Sequence, residues 1–163
     1  MLPPFCRIMQ KSTKTWILFL LIGVAITARI INFDSVFTAE GVLPQGNDAN
    51  YHTLRSIRAV KDFPHVPHFD PFMNYPVGAP ILWPPLFDGL ISGIVVACYG
   101  YEAGDEDVAT VAAIVPVALV VLTLPLVVLL ASRLLGWSMA IWAGLFFAVL
   151  PLHVIFSRLC YAD

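Results

Sequence analysis

The sequence predicts an all-α, multi-spanning membrane protein. Hydrophobic residues make up 59% of the 163 residues and charged residues only 12%, about half the charged fraction of a typical soluble domain. The mean hydropathy is +0.82, and four apolar runs carry most of it. The net charge is -2, and the nine Lys and Arg residues are scattered along the chain. Without a basic patch, the composition argues against nucleic-acid binding.

The first apolar run, residues 16–33, is predicted to be an uncleaved membrane span. Its length approaches the roughly 20 residues that a span needs, and it exceeds the hydrophobic region of a signal peptide. Arg7, Lys11 and Lys14 precede it, so the positive-inside rule predicts a cytoplasmic amino terminus. Arg29 lies near the outer end, where we expect it to snorkel to the interface, with a contact to an anionic lipid headgroup as the alternative.

The second apolar run, residues 86–101, is short and follows a pair of prolines. If it crossed the membrane, the acidic stretch that follows would be cytoplasmic and Arg133 would be external, against the usual charge bias. We therefore predict an interfacial or re-entrant helix within an external loop of residues 34–107. Runs at 108–130 and 138–156 are predicted to cross, which gives three spans in all.

A helix is predicted to begin at Asn47 and Asp48 within the external loop. Both residue types favour helix starts, and apolar residues recur at helical spacing after them. We expect a short amphipathic helix lying on the membrane, with Asp48 either capping the helix or ligating a hard divalent cation. Its predicted apolar positions are Tyr51, Leu54, Ile57 and Val60.

The histidines and cysteines do not indicate a zinc or disulfide site. His65 and His68 are surrounded by prolines, which break any helix that would bring the two rings onto one face. The cysteines lie in or beside apolar runs without C-x-x-C spacing, so they are predicted to be small hydrophobic residues. They are Cys6, Cys98 and Cys160.

The stretch from Gly46 to Phe87 contains N-D-A-N-Y-H and then F-D-P-F-M-N-Y-P-V-G-A-P-I-L-W-P-P-L-F. It resembles the first external loop of the catalytic subunit of archaeal and bacterial oligosaccharyltransferases, and the order of apolar runs extends the resemblance over nearly the whole chain. The resemblance implies the amino-terminal portion (residues 1–163) of a GT-C-type glycosyltransferase transmembrane domain, which in that family precedes a soluble carboxy-terminal domain that this chain lacks.

The resemblance also implies an activity. The family transfers a glycan from a polyprenyl-phosphate or polyprenyl-diphosphate donor to the asparagine amide of N-x-Ser/Thr, at the external face of the cell membrane. Membrane lipid, the lipid-linked oligosaccharide and the acceptor polypeptide are the implied partners. Two alternatives remain open: a related polyprenyl-phosphate-sugar transferase with another acceptor, and a non-enzymatic transporter or scaffold in which the acidic loop caps helices.

The site residues follow from the same resemblance. Asp48 matches the acidic residue of the first loop, and Asp163 matches the first acidic residue of the second-loop motif; both are implied catalytic groups and ligands of Mn²⁺ or Mg²⁺. Arg158 matches a substrate-binding arginine, although its spacing to Asp163 is shorter than in the family. Because the partner carboxylate and the sequon-reading motif are absent, the isolated chain is predicted to be inactive.

Overall fold

The computed structural model describes residues 4–151 and 154–155, with side chains from residue 12 onward. The chain forms two compact units, one containing residues 4–33 and 116–151, the other residues 34–115. In chain order the elements are α1 (Pro4–Arg29), α2 (Phe33–Val36), β1 (Phe37–Thr38), β2 (Gly41–Val42), α3 (Asn47–Lys61), β3 (Phe69–Asp70), β4 (Ala79–Pro80), α4 (Leu86–Tyr99), α5 (Asp105–Leu135) and α6 (Trp137–Val149).

Two described segments are long and apolar enough to cross a membrane. They are Ser12–Val36, of 25 residues, and Asp105–Leu135, of 31 residues, and they contain the predicted helices at 16–33 and 108–130. The predicted short helix at 86–101 is α4, of 14 residues. The third predicted span begins as α6, which has 13 residues; several residues of the predicted range 138–156 lie outside the described part of the chain.

In the first unit, α1 and α6 run parallel. The ammonium of Lys14, in the middle of α1, lies 5.1 Å from the centre of the Trp137 ring at the start of α6. Near the end of both helices, the Arg29 guanidinium donates to the carbonyl oxygen of Ala148 at 2.8 Å. Because contacts advance along both helices in the same direction, their carboxyl-terminal ends lie at the same level.

The second half of α5 packs antiparallel to α6. A single residue, Gly136 with a φ of +84°, separates the two helices. Gly144 of α6 permits the close approach, since a Cβ there would lie 2.7 Å from Val128 Cγ2 and 2.9 Å from Leu21 Cδ1. The apolar core of this unit comprises Leu21, Ala25, Val120, Leu124, Val128, Ala140 and Ala148.

The prediction that Arg29 snorkels to the interface is wrong. The side chain is fully buried, and its donors bind carbonyl oxygens at the ends of α1 and α6. A guanidinium among apolar helices is retained where its N–H groups find acceptors, and the helix ends provide them.

In the second unit, α3 packs against α4 and the first turns of α5. The core contains Val60, Ile91, Val95 and Val108, so α3 is confirmed as a helix, but its predicted apolar face is partly wrong. Leu54 is 43% exposed, whereas Arg55 is only 2% exposed. Arg55 lies on the buried face, where it forms an ion pair with Asp88 of α4, a position that apolar periodicity alone does not predict.

Two short antiparallel pairs organise the loops of this unit. β1 pairs with β2, and β3 pairs with β4 in the register Phe69↔Pro80 and Asp70↔Ala79. After β3 the chain turns at once, and Asp70 Oδ1 accepts a hydrogen bond from the Phe72 N–H at 2.9 Å. This side-chain-to-backbone bond is typical of aspartate at the start of a turn.

Candidate functional site

Asp48 lies in the first turn of α3. The helix begins after Gly46, whose φ of +102° is a conformation that favours glycine. No side-chain hydrogen bond caps this end, so the predicted cap at Asn47 and Asp48 is wrong. Asn50 Nδ2 donates to the Gly46 carbonyl oxygen at 2.8 Å, a bond that provides no acceptor for the N–H groups of the first turn. The Asp48 carboxylate is therefore not used to begin the helix, although its charge is favourable near the helix amino terminus.

Helical periodicity places Asp48, His52 and Arg55 on one face of α3, at positions i, i+4 and i+7. Two of these residues converge on Asp88, near the start of α4. His52 Nδ1 lies 2.6 Å from Asp88 Oδ1, and Arg55 Nη1 lies 2.7 Å from Asp88 Oδ2. Asp88 is fully buried. A buried carboxylate between two such partners is held firmly, because each oxygen has its own donor.

In the contact between His52 Nδ1 and Asp88 Oδ1, the hydrogen-bonding chemistry of the two groups decides which atom is the donor. A carboxylate that is paired with a guanidinium accepts hydrogen bonds and does not donate them, and Asp88 Oδ2 accepts from Arg55 Nη1 at 2.7 Å. Nδ1 of His52 therefore carries the proton and donates. The imidazole edge packs against two aromatic rings, with its centroid 5.4 Å from Phe87 and 6.2 Å from Trp83. The ring orientation is thus fixed on several sides.

Arg55 also ties the long loop to α3. Its Nε and Nη2 donate to the Pro67 carbonyl oxygen at 3.0 and 2.8 Å, and Nη1 donates to the Trp83 carbonyl oxygen at 3.1 Å. Pro67 precedes β3 and Trp83 follows β4, so both carbonyls lie at the open end of this antiparallel pair. The planar guanidinium supplies its donors in a fixed fork, so one side chain joins α3, the loop and α4.

A second polar cluster, centred on Asp70, lies on the adjoining face of α3. Asp70 Oδ2 accepts from the Tyr51 hydroxyl at 3.0 Å and from Arg58 Nη1 at 3.1 Å. The Phe72 N–H bond, with these two side chains, lowers the pKa of Asp70 despite its burial. Burial raises the pKa of Tyr51, and the bond to Asp70 adds to the effect. The two clusters together immobilise the helix that carries Asp48.

No functional role was predicted for Asp70 or Asp88 from the sequence. The available signal was the position of Asp88, a carboxylate near the start of an apolar helix, where a charge requires a partner. Arg55, on the preceding helix, was a candidate for that partner. The sequence could not specify the pairing because it joins elements separated by an irregular loop.

Carboxylate oxygens suit Mn²⁺ and Mg²⁺, and Asp48 has no hydrogen-bond partner within the described part of the chain, so it fits such a cation as one oxygen donor. The described residues contain no group of three or more His, Cys, Asp or Glu side chains that could hold a metal ion. The predicted second ligand, Asp163, and the predicted substrate-binding residue, Arg158, lie outside the described residues.

Known proteins match the chain over most of its length. It is 32% identical over 157 residues to dolichyl-phosphooligosaccharide-protein glycotransferase 2 of Archaeoglobus fulgidus. The match covers 94% of this chain and 25% of the relative. It is 31% identical over 140 residues to glycotransferase 1 of the same organism, covering 85% of this chain and 22% of that relative. The chain therefore spans about a quarter of the length of these curated relatives. No protein-family model matches it.

Solved structures give the same result. Archaeal oligosaccharyltransferase AglB from Archaeoglobus fulgidus, in complex with an inhibitory peptide and a dolichol-phosphate, superposes with a TM-score of 0.82 at 29% identity, over 94% of this chain and 18% of that chain. An oligosaccharyltransferase from this organism tethered to an acceptor peptide with the NVT sequon gives a TM-score of 0.77 at 28% identity, over 94% of this chain and 18% of that one.

The fold is that of archaeal oligosaccharyltransferases over the matched residues. The predicted resemblance to this family is thereby confirmed, and AglB of Archaeoglobus fulgidus is the structurally characterised protein to which the chain is similar. A further structure of the Archaeoglobus enzyme is a complex with Zn and sulfate, and it matches with a TM-score of 0.79 at 30% identity, over 90% of this chain and 18% of that chain.

Proposed function

We propose that the full-length protein is an oligosaccharyltransferase. It transfers a glycan from a polyprenyl-phosphate or polyprenyl-diphosphate carrier to the side-chain amide of asparagine in N-x-Ser/Thr. The observation that carries this proposal is the similarity, in sequence and fold, to archaeal oligosaccharyltransferases over nearly the whole chain. The related structures with dolichol-phosphate and with an NVT peptide support the two substrate classes.

Asp48 and Asp163 are the proposed catalytic carboxylates and ligands of Mn²⁺ or Mg²⁺. When bound, the cation stabilises negative charge on the departing phosphate. The Asp48 carboxylate supports this assignment because it takes no part in capping α3. An amide nitrogen is a poor nucleophile, and carboxylates that accept hydrogen bonds from its N–H groups can orient it for attack. Arg158 is the proposed contact to the lipid-linked substrate.

The rigidity of α3 supports a positioning role for the scaffold. Catalytic groups act effectively when neighbouring side chains hold them in place. Here Asp88 and Asp70 each bind two side chains of α3. Asp48 is thus carried by a helix that is fixed on two adjoining faces. Its carboxylate is therefore held in place before the cation and the acceptor bind.

We propose that the chain crosses the membrane three times, with a cytoplasmic amino terminus and residues 34–107 outside. The parallel course of α1 and α6 supports this order, since a chain that leaves the membrane at the end of α1 leaves on the same face at the end of α6. The 14 residues of α4 are fewer than a span requires. The active-site loop then faces the exterior of the cell membrane.

The test is a transfer assay with the full-length protein, a polyprenyl-linked oligosaccharide and a fluorescent peptide containing N-x-Thr. Transfer should require Mn²⁺ or Mg²⁺ and should stop on chelation. A matched peptide with glutamine in place of asparagine should not be glycosylated. Equal transfer to the glutamine peptide, or transfer only to a hydroxyl acceptor, would instead favour a related glycosyltransferase with another acceptor.

A further inference from the structure

His52 has one ring nitrogen in use and one that is open. Nδ1 donates to Asp88 Oδ1 at 2.6 Å, whereas Nε2 has no hydrogen-bond partner within the described part of the chain. A nitrogen sealed in the interior without a partner would be unfavourable, but Nε2 is not such a buried atom. The His52 side chain keeps 15% of its surface exposed, and Nε2 therefore opens to solvent.

The contact with Asp88 decides what the open nitrogen presents. Because Nδ1 carries the ring hydrogen, the neutral imidazole has a lone pair at Nε2. Asp88 is fully buried, and its other oxygen accepts from Arg55 Nη1 at 2.7 Å, so the carboxylate is anchored behind the ring. A carboxylate in this position fixes the tautomer and stabilises the imidazolium that forms when the other nitrogen takes a proton.

The open nitrogen and the Asp48 carboxylate belong to the same face of α3. The two residues are one helical turn apart, at positions i and i+4, and side chains at this spacing are neighbours with Cβ atoms about 5–6 Å apart. The two N–H bonds of an asparagine amide diverge by about 120°, so acceptors about 3 Å from its nitrogen lie about 5 Å from each other. The spacing of Asp48 and His52 suits one acceptor for each hydrogen of the amide.

Glycan transfer requires a proton acceptor as well as groups that orient the amide. The amide nitrogen forms a bond to the anomeric carbon of the sugar, and the bond from that carbon to the phosphate oxygen breaks with its electron pair staying on the phosphate. One amide hydrogen leaves as a proton. Carboxylates beside a cation favour the ionised form and are weak bases, whereas a neutral imidazole is suited to accept a proton near neutral pH.

We propose that His52 is the catalytic base of the transfer reaction. Its Nε2 accepts one N–H of the acceptor asparagine and takes that proton as the bond to the sugar forms, while Asp48 accepts the other N–H. The proton then passes to solvent from the exposed edge of the ring. Asp88 is a positioning residue that holds the imidazole in the required tautomer. The inference rests on the proposed function and deepens it, because it names the group that receives the amide proton.

The first test measures single-turnover transfer by the full-length protein at saturating Mn²⁺. His52→Asn places an amide N–H near the position of Nδ1, so it keeps a donor to Asp88, removes Nε2 and should unfold close to the wild-type midpoint. His52→Gln offers a hydrogen-bond acceptor that cannot take the proton. Transfer should fall by about 100-fold or more in both variants, as expected on losing a general base.

The matched control for this test is His65→Gln, which changes an exposed histidine of the loop in the same unit and should transfer at the wild-type rate. Undiminished transfer by His52→Asn would overturn the inference. A wild-type rate in His52→Gln would also overturn it, because a hydrogen-bond acceptor would then suffice without proton transfer.

The second test is chemical rescue of His52→Ala by added imidazole. Transfer should recover in part and saturate with imidazole concentration. In a series of substituted imidazoles of similar size, the rescued rate should rise with basicity, since proton transfer follows Brønsted behaviour. Rescue that follows size instead of basicity, or no rescue of a folded variant, would overturn the base role.

Calorimetric titration with Mn²⁺ separates a base from a metal ligand. The Kd for Mn²⁺ should be the same in the wild type and in His52→Asn, and an increase of about ten-fold or more would assign Nε2 to the cation and overturn the base role. An inactive wild-type protein would overturn the oligosaccharyltransferase assignment itself. An active wild type with an equally active His52→Asn would overturn only this inference.

Discussion

Replacing Asp88 with asparagine should destabilise the unit that holds α3. Asp88 is fully buried and pairs with Arg55 at 2.7 Å and with His52 at 2.6 Å. Removing one partner from a buried ion pair costs about 3–5 kcal/mol, because the other charge stays buried. Arg55 retains carbonyl acceptors on Pro67 and Trp83, so we expect a loss near the lower limit, about 3 kcal/mol.

Equilibrium unfolding of the protein in mixed detergent micelles measures this loss. The control is Asp62→Asn, which neutralises an exposed carboxylate at the far end of α3 and should change stability by less than about 0.5 kcal/mol. A second check removes both charges: Arg55→Met with Asp88→Leu should destabilise less than Asp88→Asn alone, because no charge is left buried without its partner. A loss below about 1 kcal/mol for Asp88→Asn would refute the reasoning. The buried charge of Arg55 would then be tolerated without the Asp88 carboxylate.

Further expectations follow from the Asp70 cluster and from the packing of α6. The lowered pKa of Asp70 means that its contribution to stability is complete above about pH 4 and is lost as the pH falls through the folded-state pKa; Asp70→Asn should therefore flatten the acid limb of a stability-versus-pH curve. The raised pKa of Tyr51 has the opposite sign, since stability is lost as the pH rises above about 10, and Tyr51→Phe should remove that alkaline loss. Gly144→Val should destabilise by about 1–3 kcal/mol in thermal unfolding, because a Cβ would lie 2.7 Å from Val128. Gly23→Ala, where a Cβ meets nothing within 4 Å, should be neutral or slightly stabilising, and equal losses for the two glycines would contradict the packing.

The sequence predicted the elements whose formation depends on local composition. Long apolar runs favour helices because a helix satisfies its backbone groups within the segment, and the runs predicted at 16–33 and 108–130 fall largely within α1 and α5. The short run after the paired prolines became α4, and the helix carrying Asp48 begins within a residue or two of its predicted start. The motif that carries the family resemblance also lies in this loop.

The sequence did not predict which partners the buried charges find. Apolar periodicity placed Leu54 on the buried face of α3, yet Leu54 is 43% exposed, whereas the neighbouring Arg55, which pairs with Asp88, is buried. Arg29 bonds Ala148, a residue 119 positions away. Such contacts depend on packing between distant elements, where hydrogen-bond geometry and not local propensity decides the outcome.

The most direct test of the central claim is the effect of Asp48→Ala on glycan transfer by the full-length protein. Asp48 makes no capping hydrogen bond in α3, so the variant should lose no more stability than the roughly 0.3–1 kcal/mol of its interaction with the helix dipole, while transfer falls by at least about 100-fold at saturating Mn²⁺. Asp62→Ala, at the other end of the same helix, should transfer at the wild-type rate. Undiminished transfer by Asp48→Ala would contradict the account.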